Sequence, residues 1–228
     1  MAEQILPEVY RKSPTVVANY NYTDIADGTG RISLYGFTHK ETTTEKFALN
    51  TETSYSISVF SKGTTATAPY TTAEKDIDLD FDLSPFNTPR RLKGKVRING
   101  VFGGGTRASA TAGEVYIIAK VRKWDGTTET EIANAQSQTL TTTTLQVNWA
   151  VFNMEIDCPT LTNFKTGEIL RITIEVWVKS VEGGEPMNGY FLHDPMNRIN
   201  AASIPDQDEG GVPLTSIFKL NVPFLLDI

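Results

Sequence analysis

Residues 76–83 read Asp-Ile-Asp-Leu-Asp-Phe-Asp-Leu. Polar and apolar residues alternate without a break. An extended strand therefore places Ile77, Leu79, Phe81 and Leu83 on one face and Asp76, Asp78, Asp80 and Asp82 on the other, whereas a 3.6-residue period would scatter both sets around a helix. The same two-residue period returns at length in two other places. Val115, Ile117, Ala119 and Val121 alternate with Glu114, Tyr116, Ile118, Lys120 and Arg122, and Leu170, Ile172, Ile174, Val176 and Val178 alternate with Arg171, Thr173, Glu175, Trp177 and Lys179. Further strands are expected at 31–38, 46–50, 54–61, 91–102, 128–138, 145–156, 189–193 and 216–228, separated by Gly, Pro, Asn and Asp clusters. No segment carries a helical period. The expectation is an all-β protein, an antiparallel two-sheet β-sandwich of jelly-roll or Greek-key type.

The acidic strand raises the question of what neutralises it. Arg91, Lys93, Lys95 and Arg97 share one face of the next expected strand, so an antiparallel register could oppose Asp82 to Arg91, Asp80 to Lys93, Asp78 to Lys95 and Asp76 to Arg97. Each exposed pair would contribute only about 0–1 kcal/mol, and the ladder would chiefly fix register, because like charges left opposite one another are destabilising. The alternative is that the two stripes lie apart and each meets a neighbouring subunit. A second pairing is expected around Asp125-Gly126, the dipeptide of a type I′ hairpin. If Trp124 faces Thr127, then Arg122 faces Glu129 and Lys120 faces Glu131.

The ends differ from the middle. Residues 1–30 contain Pro7 and Pro14 together with Tyr10, Tyr20 and Tyr22 and have weak periodicity, which reads as an extended N-terminal arm suited to packing on another subunit; residues 31–228 form a single β-sandwich domain. The run from Ser216 to Ile228 is a strand with Leu220, Val222, Phe224, Leu226 and Ile228 on one face. Pro223 cannot donate to a ladder, so this strand is expected at an edge or without a bond at that point.

Composition narrows the function classes. The 228 residues carry a formal net charge of −6, which opposes a general role in coating nucleic acid, whose affinity comes largely from Lys and Arg at phosphates. No stretch approaches the roughly 20 apolar residues that cross a bilayer as a helix. The N-terminus lacks an apolar signal core, which fits synthesis in a cytoplasm. Cys158 is the single cysteine; an intrachain disulfide is impossible, and a small buried apolar role is its simplest reading.

Chemical motifs are sparse. His39 and His193 sit in no metalloprotease pattern, no nucleophile elbow occurs, and Gly103-Gly104-Gly105 lacks a following Gly-Lys-Ser/Thr, so it reads as a loop between strands rather than a phosphate cradle. His193-Asp194-Pro195 reads as a turn closed by an Asx-type bond. Asp206 and Asp208 imitate the first half of a calcium loop but lack its twelfth-position Glu, which leaves them weak metal candidates, and no cofactor is expected. Trp177 alternates with core positions and is the candidate for stacking on a sugar; Trp149 aligns with Leu145, Val147 and Val151 as a core residue.

The stretches FDLSPFNTPRRLKGKVRI (81–98), GEVYIIAKVRKWDGTTETEIANAQS (113–137) and NVPFLLDI (221–228) resemble β-rich virion structural proteins of tailed phages and related environmental viruses. The likeness lies in Thr- and Asn-rich strands, an extended arm and a terminal apolar strand. It implies a jelly-roll-like subunit, placed on a capsid as decoration or cement or in a tail or collar. Such a subunit would be made in the host cytoplasm, located in the virion, and partnered by itself and a major capsid or other virion protein, with no direct nucleic-acid or membrane contact. The interface residues expected on this reading are Tyr10, Tyr20, Tyr22, the four aspartates 76, 78, 80 and 82, and Arg91, Lys93, Lys95 and Arg97. The rival expectation is a carbohydrate- or receptor-binding β-sandwich module of tail-fibre type, using Trp177.

Overall fold

The computed structural model describes residues 18–19, 29–63, 72–106, 112–142, 147–180, 187–197 and 216–225. Among them there is no helix, and the strands are β1 (Ala18–Asn19), β2 (Thr29–Glu41), β3 (Thr44–Asn50), β4 (Phe60–Lys62), β5 (Glu74–Leu83), β6 (Arg90–Thr106), β7 (Gly113–Trp124), β8 (Glu129–Gln136), β9 (Leu140–Thr142), β10 (Asn148–Phe164), β11 (Ile169–Ser180), β12 (Met187–Leu192) and β13 (Lys219–Leu225). They hydrogen-bond into one open sheet in the order β4-β12-β6-β13-β2-β3-β5-β11-β7-β8, with β10 added on β6, β9 on β7 and β1 on β2. The pattern behind the all-β reading is therefore realised. The expectation of purely antiparallel pairing is corrected at one place: β3 and β5 run parallel, joining Ala48 to Asp82 and Leu49 to Leu83. Parallel neighbours need a crossover of a dozen or more residues, and the connection from 51 to 73 supplies it.

The apolar faces meet in one contiguous cluster. Ile77, Leu79 and Phe81 of β5, Val115 to Val121 of β7 and Leu170 to Val178 of β11 join Leu92, Val96 and Ile98 of β6 and Leu220, Val222 and Phe224 of β13. β11 lies across from β12, and β10 runs beside β8. Phe81 is fully buried, with ring centroids of Phe218 at 4.8 Å, Phe47 at 5.3 Å and Phe191 at 6.2 Å, separations at which tilted aromatic pairs add to simple area burial. Cys158 is buried as expected, and burial pushes its thiol up to about 11, which leaves it inert near neutral pH.

Three local expectations are corrected. Gly103, Gly104 and Gly105 are not a loop; they are buried residues of β6. A Cβ on Gly103 would lie 2.6 Å from Trp149 Cε3 and 2.8 Å from the Asn148 carbonyl oxygen, and one on Gly104 would lie 2.6 Å from Met187 Cε. The triplet is where β10 and β12 flank β6 with large side chains. Second, β13 is interior, paired to β2 on one side and β6 on the other. Pro223 is tolerated because the β6 ladder shifts register between Asn221 and Phe224, so the edge alternative fails and the missing-bond alternative holds. Leu226 and Ile228 lie outside the described residues. Third, Trp149 is half-buried outside the main core, in a small cluster with Val101, Leu192, Val59 and Phe60; the core positions of β10 are the even ones, Phe152 to Cys158.

The β7–β8 hairpin forms with a longer turn than the Asp-Gly dipeptide suggests. Trp124 faces Glu129, not Thr127. The Asp125 carboxylate accepts the Thr127 and Thr128 amides at 2.9 and 2.6 Å, which spreads the turn over four residues and holds that carboxyl below its usual range. Gly126 takes a φ of 97°, a left-handed value suited to glycine. A register shift between Val121 and Arg122 then places Lys120 opposite Asn134 instead of Glu131. Arg122 faces Glu131 in the ladder and still reaches Glu129 diagonally, at 2.8 Å.

Close approach at β6 is expected to make Gly103→Ala costlier than Gly126→Ala. The first is blocked by backbone as well as by Trp149 and should destabilise by about 1–3 kcal/mol. The second meets open space and should lose only about 1 kcal/mol through its positive φ. Urea unfolding midpoints of the two variants check the order.

Candidate interaction face

The outward side chains of β5, β11, β7 and β8 form a charged face, and strand order decides its pairing. The aspartate stripe does not meet the Arg91–Arg97 stripe within the chain: β5 pairs with β11, not β6, setting Asp82 opposite Arg171, Asp80 opposite Thr173 and Asp78 opposite Glu175. The expected intrachain register is thereby corrected. Arg171 takes over most of the neutralisation. Its Nε and Nη2 hold the two oxygens of Asp82 at 2.7 and 2.8 Å, a bidentate fork, while Nη1 lies 3.4 Å from both Asp80 and Glu129. The guanidinium also stacks over Trp124 at 4.9 Å. Hydrogen bonding to Asp82 holds it firmly charged. Thr173 donates its hydroxyl to Asp80 at 2.6 Å.

The next row sets two carboxylates against each other. Asp78 faces Glu175, which is 2% exposed. Such a pair survives only with cations between and beside it. Lys75 bonds Asp78 at 2.5 Å and lies 3.4 Å from Glu175, and Lys120 reaches Glu175 at 2.7 Å. Burial alone would raise the Glu175 carboxyl, but hydrogen bonds from Lys120 and from the Trp177 indole outweigh it and hold the group below its usual range. Asp76 turns to a different partner, accepting the Gly189 amide of β12 at 2.6 Å.

The basic stripe lies on β6 and is exposed at Arg91, Lys93, Lys95 and Arg97. Lys95 and Arg97 both bond Glu155 of β10, at 3.0 and 2.8 Å. Lys93 has no ion pair among the described residues. The structure thus gives the two stripes separate intrachain partners. Tyr10, Tyr20, Tyr22, Asp206 and Asp208 lie outside the described residues, and of the arm only Ala18–Asn19, paired to Ile32 and Arg31 of its own chain, and Thr29 and Gly30, which begin β2, are described. Trp177 does face outward; it stacks on Tyr116 with parallel planes at 6.3 Å and donates its N–H to Glu175 at 3.0 Å.

Two features escaped the sequence. The first is a Ser–His contact: Ser61 Oγ and His193 Nε2 are 2.9 Å apart. His193 is fully buried against Phe47, Phe81 and Phe191, burial pushes its imidazole down to about 4, and Nδ1 has no partner. A nucleophilic pair needs a base that is orientated by a third group and protonatable near working pH; this histidine has neither property. Asp194 instead closes the expected Asx turn, accepting the Met196 amide at 3.3 Å. The second is the edge of β10. One side of this strand is paired to β6 along its length apart from an irregularity between Cys158 and Thr162, and the other side has no backbone partner among the described residues. A recess of about 350 Å³ runs along that side, lined by Phe102, Leu140, Ala150, Phe152 and Met154 with the polar 137–139 segment.

No family model matches the sequence, and no curated protein matches it. Among solved structures, similarity is weak. An α-amino acid ester hydrolase labelled with selenomethionine is matched at 10% identity and a TM-score of 0.47, over 85% of this chain and 36% of that one. A CocE/NonD family hydrolase from Staphylococcus aureus is matched at 14% identity and 0.36, over 84% and 41%. The infectious bursal disease virus T13 particle is matched at 11% identity and 0.33, over 91% and 60%. The chain therefore spans between about a third and three fifths of the length of these structures.

Replacing Arg171 by Met should strand Asp80, Asp82 and Glu129 without their shared cation and lower stability by about 1–3 kcal/mol, a range reduced by the partial solvent exposure of the carboxylates. Arg171→Lys should recover less than half, because an ammonium cannot reproduce the fork or the stacking on Trp124. Guanidinium-free urea titrations of both variants, with Asp82→Asn/Arg171→Met completing a double-mutant cycle, measure the coupling.

Proposed function

We propose that this protein is a non-enzymatic structural subunit of a virus particle, a capsid decoration or cement protein or a tail or collar component, working in the virion through contacts with its own copies and with a shell protein. On this reading the sheet is folded into two facing layers of jelly-roll type; the contact of β11 with β12 and the main apolar cluster between them support that arrangement. The observation that carries the reading is the edge of β10. Long edge strands in proteins that act alone are blunted by charge, proline or a cover. Here Glu155, Asp157 and Pro159 guard one half, while Asn148 to Met154 contains no charge and no proline, leaves Val151 59% exposed, and lies beside a recess of mixed polar and apolar lining. A half-edge free of charge and proline, bordered by the 137–140 segment across the recess, suits backbone pairing with another chain. The resemblance to virion proteins and the exposed basic stripe of β6 point the same way. A glycan-binding module would offer an open aromatic surface; the pairing of Trp177 with Tyr116 and Glu175 leaves it poorly placed for that role.

Light scattering on the purified chain is expected to give a defined oligomer. Val151→Lys with Asn153→Lys should reduce it to a monomer with an unchanged circular dichroism spectrum. A wild-type monomer that binds glycans in an array screen would replace this reading with the adhesin one. Deleting residues 2–17, which spares β1 and its pairing to β2, should leave a folded chain with weakened assembly.

A further inference from the structure

We propose that His193 is an acid-sensitive latch that fastens the edge segment 54–63, including β4, over the aromatic centre of the core. The proposal does not depend on the assembly reading. The segment is held at two places. At one, Thr38 and Ser56 share a hydroxyl bond of 2.7 Å, Ser56 Oγ accepts the Thr38 amide at 2.9 Å, and the Ile57 amide donates to the Thr38 carbonyl. At the other, β4 makes a three-residue ladder to β12, and His193 closes it twice: its amide donates to the Val59 carbonyl at 3.1 Å and its ring bonds Ser61 at 2.9 Å.

That ring is poorly suited to carrying charge. Phe47 from β3, Phe81 from β5 and Phe191 from β12 pack against it, with centroids between 5.6 and 6.2 Å. Ser61 is the polar side chain that meets it from β4, and Asp194, next in the chain, is the charged group that acts on it. The Asp194 carboxylate turns to the Met196 amide. Protonation makes both ring nitrogens donors, and Nδ1 has no acceptor. An imidazolium in this place lacks both solvation and a second hydrogen bond, a cost relieved only by moving the ring toward water. Since the ring is seated beneath β4, that movement displaces β4 and uncovers Phe47, Phe81 and Phe191.

The sign follows from linkage. A histidine whose folded pKa is depressed stabilises the closed form fully above its ordinary value of 6.5, and the contribution is lost as pH falls from there toward the folded value of about 4. Opening of the segment should therefore rise roughly 30-fold between pH 8 and pH 5, while carboxylates with lowered pKa, such as Glu175, begin to titrate only below that window.

Hydrogen–deuterium exchange on the full chain, corrected for intrinsic rates, tests this. Peptides covering 54–63 and 187–197 should lose protection by that factor at pH 5, peptides covering β11 should not, and His193→Phe should abolish the pH dependence. If that variant does not fold, imidazole NMR on a His39→Gln background decides, with His193 remaining neutral in the folded protein well below pH 6. Unchanged protection of 54–63 from pH 8 to 5, equal acid loosening in His193→Phe, simultaneous loss in β11, or a folded His193 that titrates at 6.5 would each overturn the latch.

Discussion

Three carboxylates, Asp78, Asp80 and Asp82, on one face of one strand are a constraint that the remainder of the sheet must meet; the expected fourth, Asp76, leaves the stripe at the register shift and turns to β12. Successive residues on a strand face lie about 7 Å apart, so each neighbouring pair repels by about 0.6 kcal/mol in a water-like medium and by about 2 kcal/mol at the effective dielectric of a protein surface. Bringing β11 beside β5 sets Glu175 against Asp78 and so adds another carboxylate. What makes that order workable is the supply of cations from both sides: Arg171 on β11 itself, Lys75 at the start of β5, and Lys120 from β7. β11 has to lie between β5 and β7, because only there do Lys120 and Arg171 converge on the acidic rows. The inner face agrees with the outer one, since Leu170, Ile172, Ile174, Val176 and Val178 are all fully buried in the same placement. Two independent requirements thus select one strand order.

That agreement explains which parts could be read from the sequence. Strand existence and facing depend on local alternation, and β5, β7 and β11 declare it openly. Partner choice does not. The nearest basic stripe along the chain, Arg91 to Arg97, is the natural candidate for the aspartates, yet their main cation lies 89 residues further on and is a single arginine whose fork does the work of several lysines. The hairpin shows the same limit at short range. Asp125-Gly126 marks the turn correctly, but the aspartate side chain captures two amides beyond it, and a bulge at Ile132 compensates. Side-chain capture of backbone competes with the minimal turn, and nothing in the pattern of polar and apolar residues records the outcome.

β12 was legible as a strand at 189–193, but its burial on both faces and the surroundings of His193 were obscured for a different reason. All six residues of Met187–Leu192 are buried, so neither face is wet and alternation disappears, as it does in any strand covered on both sides. The histidine that follows then resembles a turn residue, and its Asp194 does make the turn. Its aromatic surroundings come from β3, β5 and β12, which only the tertiary structure assembles. The glycine triplet of β6 was misread for the related reason that a glycine run signals flexibility in isolation and close approach when large side chains flank it.

Guarding an edge and using it are alternatives, and β10 shows both along one strand. Glu155 is engaged by Lys95 and Arg97 of the neighbouring β6, so the charge that blunts this half of the edge is anchored in the chain's own sheet and is not free to recruit a partner. Pro159 removes a donor at the same end, near the irregularity in pairing to β6. The half from Asn148 to Met154 has neither device, and the three glycines opposite its start let Trp149 and the backbone of Asn148 approach β6 closely, which holds that half straight and in register. A strand kept regular on its paired side presents regularly spaced donors and acceptors on the open side. The glycines that confine Trp149 therefore also prepare the edge, and the same local packing that stabilises the chain sets the geometry in which another chain could be received.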